Sequence, residues 1–200
     1  MSNQEKQKWR YKIAFAVRVA TVPPVMVGIL LLLLYLYRKD LFGVPADMIV
    51  SACLLAALPL LAYPLSIMIP ALRKKGREGQ RSLAMYLSAA GYLAVFVYGI
   101  IADVSVGLMH LYGGYLLSVI IILVGNKLLH IRISGHACAV SGPLVYSGYY
   151  LGLWGILVGV VCWIVILWAS LAMKRHTVRE FLLGTATCLV SFFTALAFFH

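Results

Sequence analysis

Two histidines in this chain stand among residues suited to handling an anion. His136 follows Ser134 and Gly135, and His176 precedes Glu180 by four residues. Four residues is about one helical turn, so Glu180 shares a face with His176, and its carboxylate can hold the imidazole in one tautomer and stabilise it as charge develops. Ser134 and Gly135 fall at the expected start of a helix, where unbonded N–H groups and the helix dipole attract anions. Lys74, Arg81, Lys127, Arg132 and Arg175 supply cations in the neighbouring polar stretches, and displacement at an anionic centre needs fixed positive charge around it. His110, His130 and His200 have no such setting and read as interfacial or helix-packing residues. A metal site built from His136, His176, Glu180 and Cys138 is disfavoured because the same cations oppose a further one.

These residues have to be positioned by helices in lipid. A 200-residue chain that is 63% hydrophobic and 12% charged, with a mean hydropathy of +0.96, lies outside the range of a water-soluble domain. Crossing the hydrocarbon takes about 20 apolar residues as a helix, and polar breaks divide the chain into about seven helices, over 12–37, 46–71, 82–101, 107–125, 134–149, 151–172 and 177–199. The expected fold is all-α: a polytopic transmembrane bundle of 6–7 helices, forming one membrane domain over residues 1–200. Pro23 and Pro24 either kink the first helix or separate an interfacial piece from a shorter span, since proline removes a backbone donor and clashes with the preceding turn. The apolar run behind the basic N-terminus is too long for a signal-peptide core and reads as retained. Cys53, Cys138, Cys162 and Cys188 lack the pairing of a zinc site or disulfide framework and read as small core residues. Gly113, Gly114, Gly148, Gly152, Gly155 and Gly184 suit close helix contacts, and Trp9, Tyr149 and Tyr150 suit the interfacial belt.

Threading these helices alternately through a bilayer sorts the charge. All of the seventeen Lys and Arg residues except Arg38 and Lys39 fall on the face that carries the N-terminus and the loops around 73–81, 126–133 and 173–179. The positive-inside rule makes that face cytoplasmic, with the plasma membrane of a prokaryote the expected location. The net charge of +11 points to anionic membrane lipids as partners, because no basic stretch is long enough, or interleaved enough with aromatic residues, to form a groove for nucleic acid.

The order of these pieces resembles the type 2 phosphatidic acid phosphatase superfamily, whose pattern runs K-x6-R-P, then P-S-G-H, then S-R-x5-H-x3-D. The middle part stands here as Ile133-Ser134-Gly135-His136, with isoleucine for proline. The third stands as Ser170, His176 and Glu180, with Ser170 where the family has arginine and glutamate for the aspartate; Lys174, Arg175 and Arg179 are the cations nearby. Lys74 and Arg81 match the first part, with Ser82 for its proline, and Lys127 and Arg132 are the alternative holders of that role. The resemblance covers roughly the last two-thirds of the chain.

What the resemblance implies is a membrane phosphatase or phosphotransferase acting on a lipid phosphate, such as phosphatidate, phosphatidylglycerophosphate or a polyprenyl phosphate or diphosphate. His176 is then the nucleophile that forms a phosphohistidine intermediate, Glu180 orients it, and His136 protonates the leaving alkoxide, a chemistry that implies no metal or organic cofactor. Ser134, Gly135 and the cations Lys74, Arg81, Lys127, Arg132 and Arg175 bind the phosphate. The replacement at Ser170 motivates a reading of another class: a relative that binds or moves anionic lipids without turnover. A solute transporter finds no paired intramembrane charge or broken-helix repeat in its support.

Overall fold

The computed structural model describes residues 2–199; His200 lies outside them. Among the described residues all regular structure is helical. The main helices are α1 (Asn3–Ala20), α2 (Pro23–Tyr37), α3 (Pro45–Met68), the short α4 (Pro70–Lys74), α5 (Gly76–Ile101), α6 (Val106–Leu128), α7 (Gly135–Leu151), α8 (Leu153–Ala172) and α9 (Val178–Phe198). Five of them, α3, α5, α6, α8 and α9, are long and apolar enough to cross a membrane, and α1 with α2 makes a sixth candidate if that pair is one span. Large apolar side chains such as Ile67, Ile101, Val158 and Phe193 face outward, which is the arrangement lipid requires rather than water.

The helix expected over 12–37 is broken. Pro23 and Pro24 open α2, and α1 meets it at 52°. Val22 is extended and the missing proline donors fall at the start of a helix, where none is needed. The loop expected around 73–81 is mostly helical as well: α4 ends at Lys74, the chain turns at Gly76 with φ +54°, and α5 runs on from there. Arg77, Glu78, Gln80 and Arg81 are good helix formers, and the two glycines among them mark a turn and a close contact rather than a loop.

At the centre α7 touches α2, α6, α8 and α9, while α5 packs on α3 and α6, and α1 lies against α8. The core joins Val27, Leu30, Leu31 and Leu34 of α2 to Leu55, Tyr92, Leu111, Tyr115, Tyr146 and Phe192. The polar groups buried in and beside it are paired, as a low-dielectric interior demands, except for the Tyr115 hydroxyl. Buried Asp47 accepts from the Tyr98 hydroxyl (2.8 Å) and the Val44 amide (3.1 Å). His110 meets the Tyr150 hydroxyl and the Phe192 carbonyl, each at 3.2 Å. Tyr150 is therefore a core residue rather than part of the interfacial belt; its hydroxyl donates to Gly107. Trp9 and Tyr149 are exposed. Cys138 and Cys188 are buried, but Cys53 faces outward, because α3 turns that side away from its neighbours.

Candidate functional site

Three polar stretches far apart in sequence meet at one end of the bundle. Arg77, Glu78 and Arg81 of α5, Arg132 before α7, and Lys174 and Arg175 after α8 surround an open mouth of about 460 Å³. Below it, and sharing most of those residues, a cavity of about 700 Å³ runs into the bundle. Its upper wall carries His136, His176, Glu180 and Lys127; deeper down it is lined by Leu55, Pro59, Met85, Tyr92, Val119 and Ile122. One end is cationic and the other apolar.

The approach of the two histidines has local causes. The last turn of α6 widens, with the Leu129 amide reaching back to the Val124 carbonyl (3.0 Å). Beside it the Asn126 side chain clamps Ile133 from both sides, donating to its carbonyl (3.1 Å) and accepting from its amide (2.8 Å). That fixes the chain entering α7. The Ser134 amide then donates to the Glu180 carbonyl (3.1 Å), tying the head of α7 to the first turn of α9. Gly184 permits the contact: a Cβ there would come within 2.9 Å of the Ala137 Cβ and closer still to the Ser134 carbonyl.

Glu180 holds three partners. Its Oε2 accepts from the Thr177 amide (3.3 Å) as half of a capping box and from His176 Nδ1 (3.3 Å), while Oε1 faces Arg132 Nε at 3.6 Å. A carboxylate can only accept, so His176 carries its proton on Nδ1 and presents an Nε2 lone pair that has no partner among the described residues. The His176 side chain is 8% exposed. Burial holds this imidazole below the usual histidine range, nearby Arg18 and Arg81 push it the same way, and the hydrogen bond to Glu180 opposes them. Arg132 is 86% exposed and its ion pair is correspondingly weak.

The sequence-derived candidates separate cleanly by position. His136, His176, Glu180, Gly135, Arg81, Lys127, Arg132 and Arg175 all line the cavity. Ser134 is buried and spent on structure, its hydroxyl accepting from the Ala137 amide (3.1 Å) as the cap of α7. Lys74 is exposed at the end of α4 and does not line the cavity, since the turn at Gly76 separates it from Arg81. Ser170 is 2% exposed inside the bundle, and its carbonyl accepts from the Arg175 amide (3.1 Å). His130 takes a left-handed turn (φ +52°) outside the cavity. Among the described residues no group of three His, Cys, Asp or Glu side chains is arranged to hold a metal ion.

One lining residue was not singled out from the sequence. Arg18 enters from α1, with Phe15 and Val19 on the same helical face and Val22 just beyond the helix end. The available signal was a single arginine inside the apolar run IAFAVRVATVPP. Only three buried side-chain polar atoms among the described residues lack a hydrogen-bond partner: Arg18 Nη1, His136 Nε2 and Tyr115 Oη. All three belong to residues that line this cavity.

Compared with protein-family profiles, with curated proteins and with solved structures, the chain matches none.

Proposed function

We propose that the cavity receives a lipid phosphate and that the protein hydrolyses it, or transfers its phosphoryl group, through a phosphohistidine on His176. The observation that carries this reading is the coincidence of unmet polar groups with one amphipathic cavity. Buried polar atoms without partners are costly, and the residues that carry them here line a space that is cationic at its mouth and mostly apolar beneath. A ligand with an anionic head and an apolar tail satisfies both ends.

The residues suit a two-step displacement. His176 Nε2 attacks phosphorus, with the lone pair that the Nδ1 contact to Glu180 makes available, and the bond from phosphorus to the leaving oxygen breaks. His136 gives its proton to that oxygen; the bound phosphate supplies the negative charge against which His136 can hold it. Arg81, Arg175 and the head of α7 at Gly135 neutralise the equatorial oxygens. Water, giving its proton to His136, then attacks the phosphohistidine; the phosphorus–nitrogen bond breaks, phosphate leaves, and both histidines are restored.

The test is phosphate release from phosphatidate in detergent micelles by purified protein and by its His176→Ala variant. Release by the native chain, reduced to background in the variant, is expected. Equal rates in the two would remove His176 from the chemistry. Saturable binding of phosphatidate with no release would assign the cavity to a protein that binds or moves anionic lipids, the reading that Ser170 favours.

A further inference from the structure

We propose that Arg18, delivered from α1, is the guanidinium that grips the phosphate inside the cavity. This rests on the lipid-phosphate reading and adds to it a residue from outside the stretches that suggested that reading. Arg18 is half-buried, and its Nη1 is shielded from solvent with no acceptor in reach. A charged donor withdrawn from water needs a counter-charge, and the described residues do not provide one. The charged neighbours of Arg18 are Arg175 and Arg81, with the Tyr63 hydroxyl beside them, and Arg18 in turn acts on His136 and His176; none of these is an anion. Of the two carboxylates on the cavity wall, Glu180 is engaged by His176, Thr177 and Arg132, and Glu78 is exposed on α5. The missing acceptor has to come from outside.

The fold holds Arg18 for this task. Ala14, one turn earlier, is fully buried against Ala169 and Met173 of the α8 end, which anchors α1 across the bundle. The capping box of Ser2 and Glu5 fixes the far end of α1, and the bend before Pro23 stops the helix immediately beyond Arg18. Ser170 lies next to Ala169, the residue that α1 covers. A serine there leaves the guanidinium that the resembling pattern places on α8 to be supplied by the helix packed over it. A planar fork of donors is the geometry that matches two phosphate oxygens.

The experiment uses the full chain in detergent and three variants: Arg18→Met, which keeps the apolar stem; Arg18→Lys, which keeps the charge without the fork; and Lys12→Met, an exposed α1 control. Binding of inorganic phosphate and of lysophosphatidate is measured by the rise in unfolding temperature at constant ionic strength, and phosphate release from lysophosphatidate is followed in parallel. Arg18→Met is expected to weaken binding of both probes by about ten-fold or more, to unfold at a higher temperature than the native chain when neither probe is present, and to raise KM. Arg18→Lys recovers part of the affinity and Lys12→Met matches the native chain. Native affinity for both probes in Arg18→Met overturns the proposal while leaving the hydrolytic reading standing if release continues. Loss of binding in Arg18→Met with no release by the native chain upholds Arg18 and removes the hydrolysis. A native chain that binds neither probe overturns both. Should Arg18→Met fail to fold, an Arg18→Lys variant with native Kd and KM overturns the proposal.

Discussion

At the scale of single residues, Glu180 concentrates the consequences, because one carboxylate serves the helix cap, the His176 ring and Arg132. Glu180→Gln keeps an acceptor for the Thr177 amide but removes the charge that favours protonated His176. Burial already lowers the His176 pKa and the Glu180 contact opposes that shift, so the variant's pKa falls further. Protonation of His176 removes the nucleophile, so the acid limb of phosphate release is expected to move to lower pH in Glu180→Gln, while the plateau rate drops by about a hundred-fold or more. A pH–rate profile checks both, and an unmoved acid limb would uncouple the pair. Glu180 and His176 were legible as a pair from their four-residue separation, although His176 stands before the Thr177 cap, outside α9, and the capping turn rather than a shared helical face brings its ring to the carboxylate. Arg18 was not, since its place in the wall depends on a 52° bend and on what α1 packs against. Lys74 was misleading for the converse reason: its spacing from Arg81 is interrupted by a turn that composition does not reveal.

At the scale of the helix, the site depends on how closely α7 and α9 approach. Gly184→Leu is expected to force them apart, costing about 1–3 kcal/mol as overpacking and separating His176 from His136, with loss of phosphate release. Chemical unfolding in detergent and the release assay measure the two effects separately; native stability in Gly184→Leu would mean that α9 does not bear on the head of α7. Apolar runs bounded by charges located α3, α6, α7, α8 and α9 to within a few residues, because lipid allows few other solutions, whereas α1 begins at Asn3, well ahead of the expected start, and breaks before Pro23. The helical course of 76–81 escaped that reading, since hydropathy finds what lies in the membrane and is blind to polar helices outside it. The widened turn at the end of α6 escaped for another reason: it is set by the Asn126 clamp on Ile133, a tertiary contact with no sequence period.

For the molecule as a whole, the cavity mouth and the cluster at Arg38 mark opposite ends. Arg38 pairs with Asp40 at 2.7 Å and sits over the Tyr150 ring, with Lys39 exposed beside it. In a chain whose four cysteines are replaced by alanine, single cysteines at Lys39 and Lys75 are expected to react from opposite sides with a membrane-impermeant maleimide. With the basic end cytoplasmic, intact cells label the first and only permeabilised cells label the second. Labelling of both from outside would dissolve the proposed sidedness.

The shortness of α2 reaches beyond the protein. Its 15 residues rise about 22 Å, well under the hydrocarbon thickness of about 30 Å, and outward-facing Ile29, Leu32 and Leu36 leave it in contact with acyl chains. A bilayer that α2 alone crosses thins beside it, and α1 departs sideways at the level where that thinning ends. Headgroups there ride lower than elsewhere, closer to the wall that carries Arg18, so the acyl-chain length of the host membrane becomes a variable in how readily a phosphate reaches it.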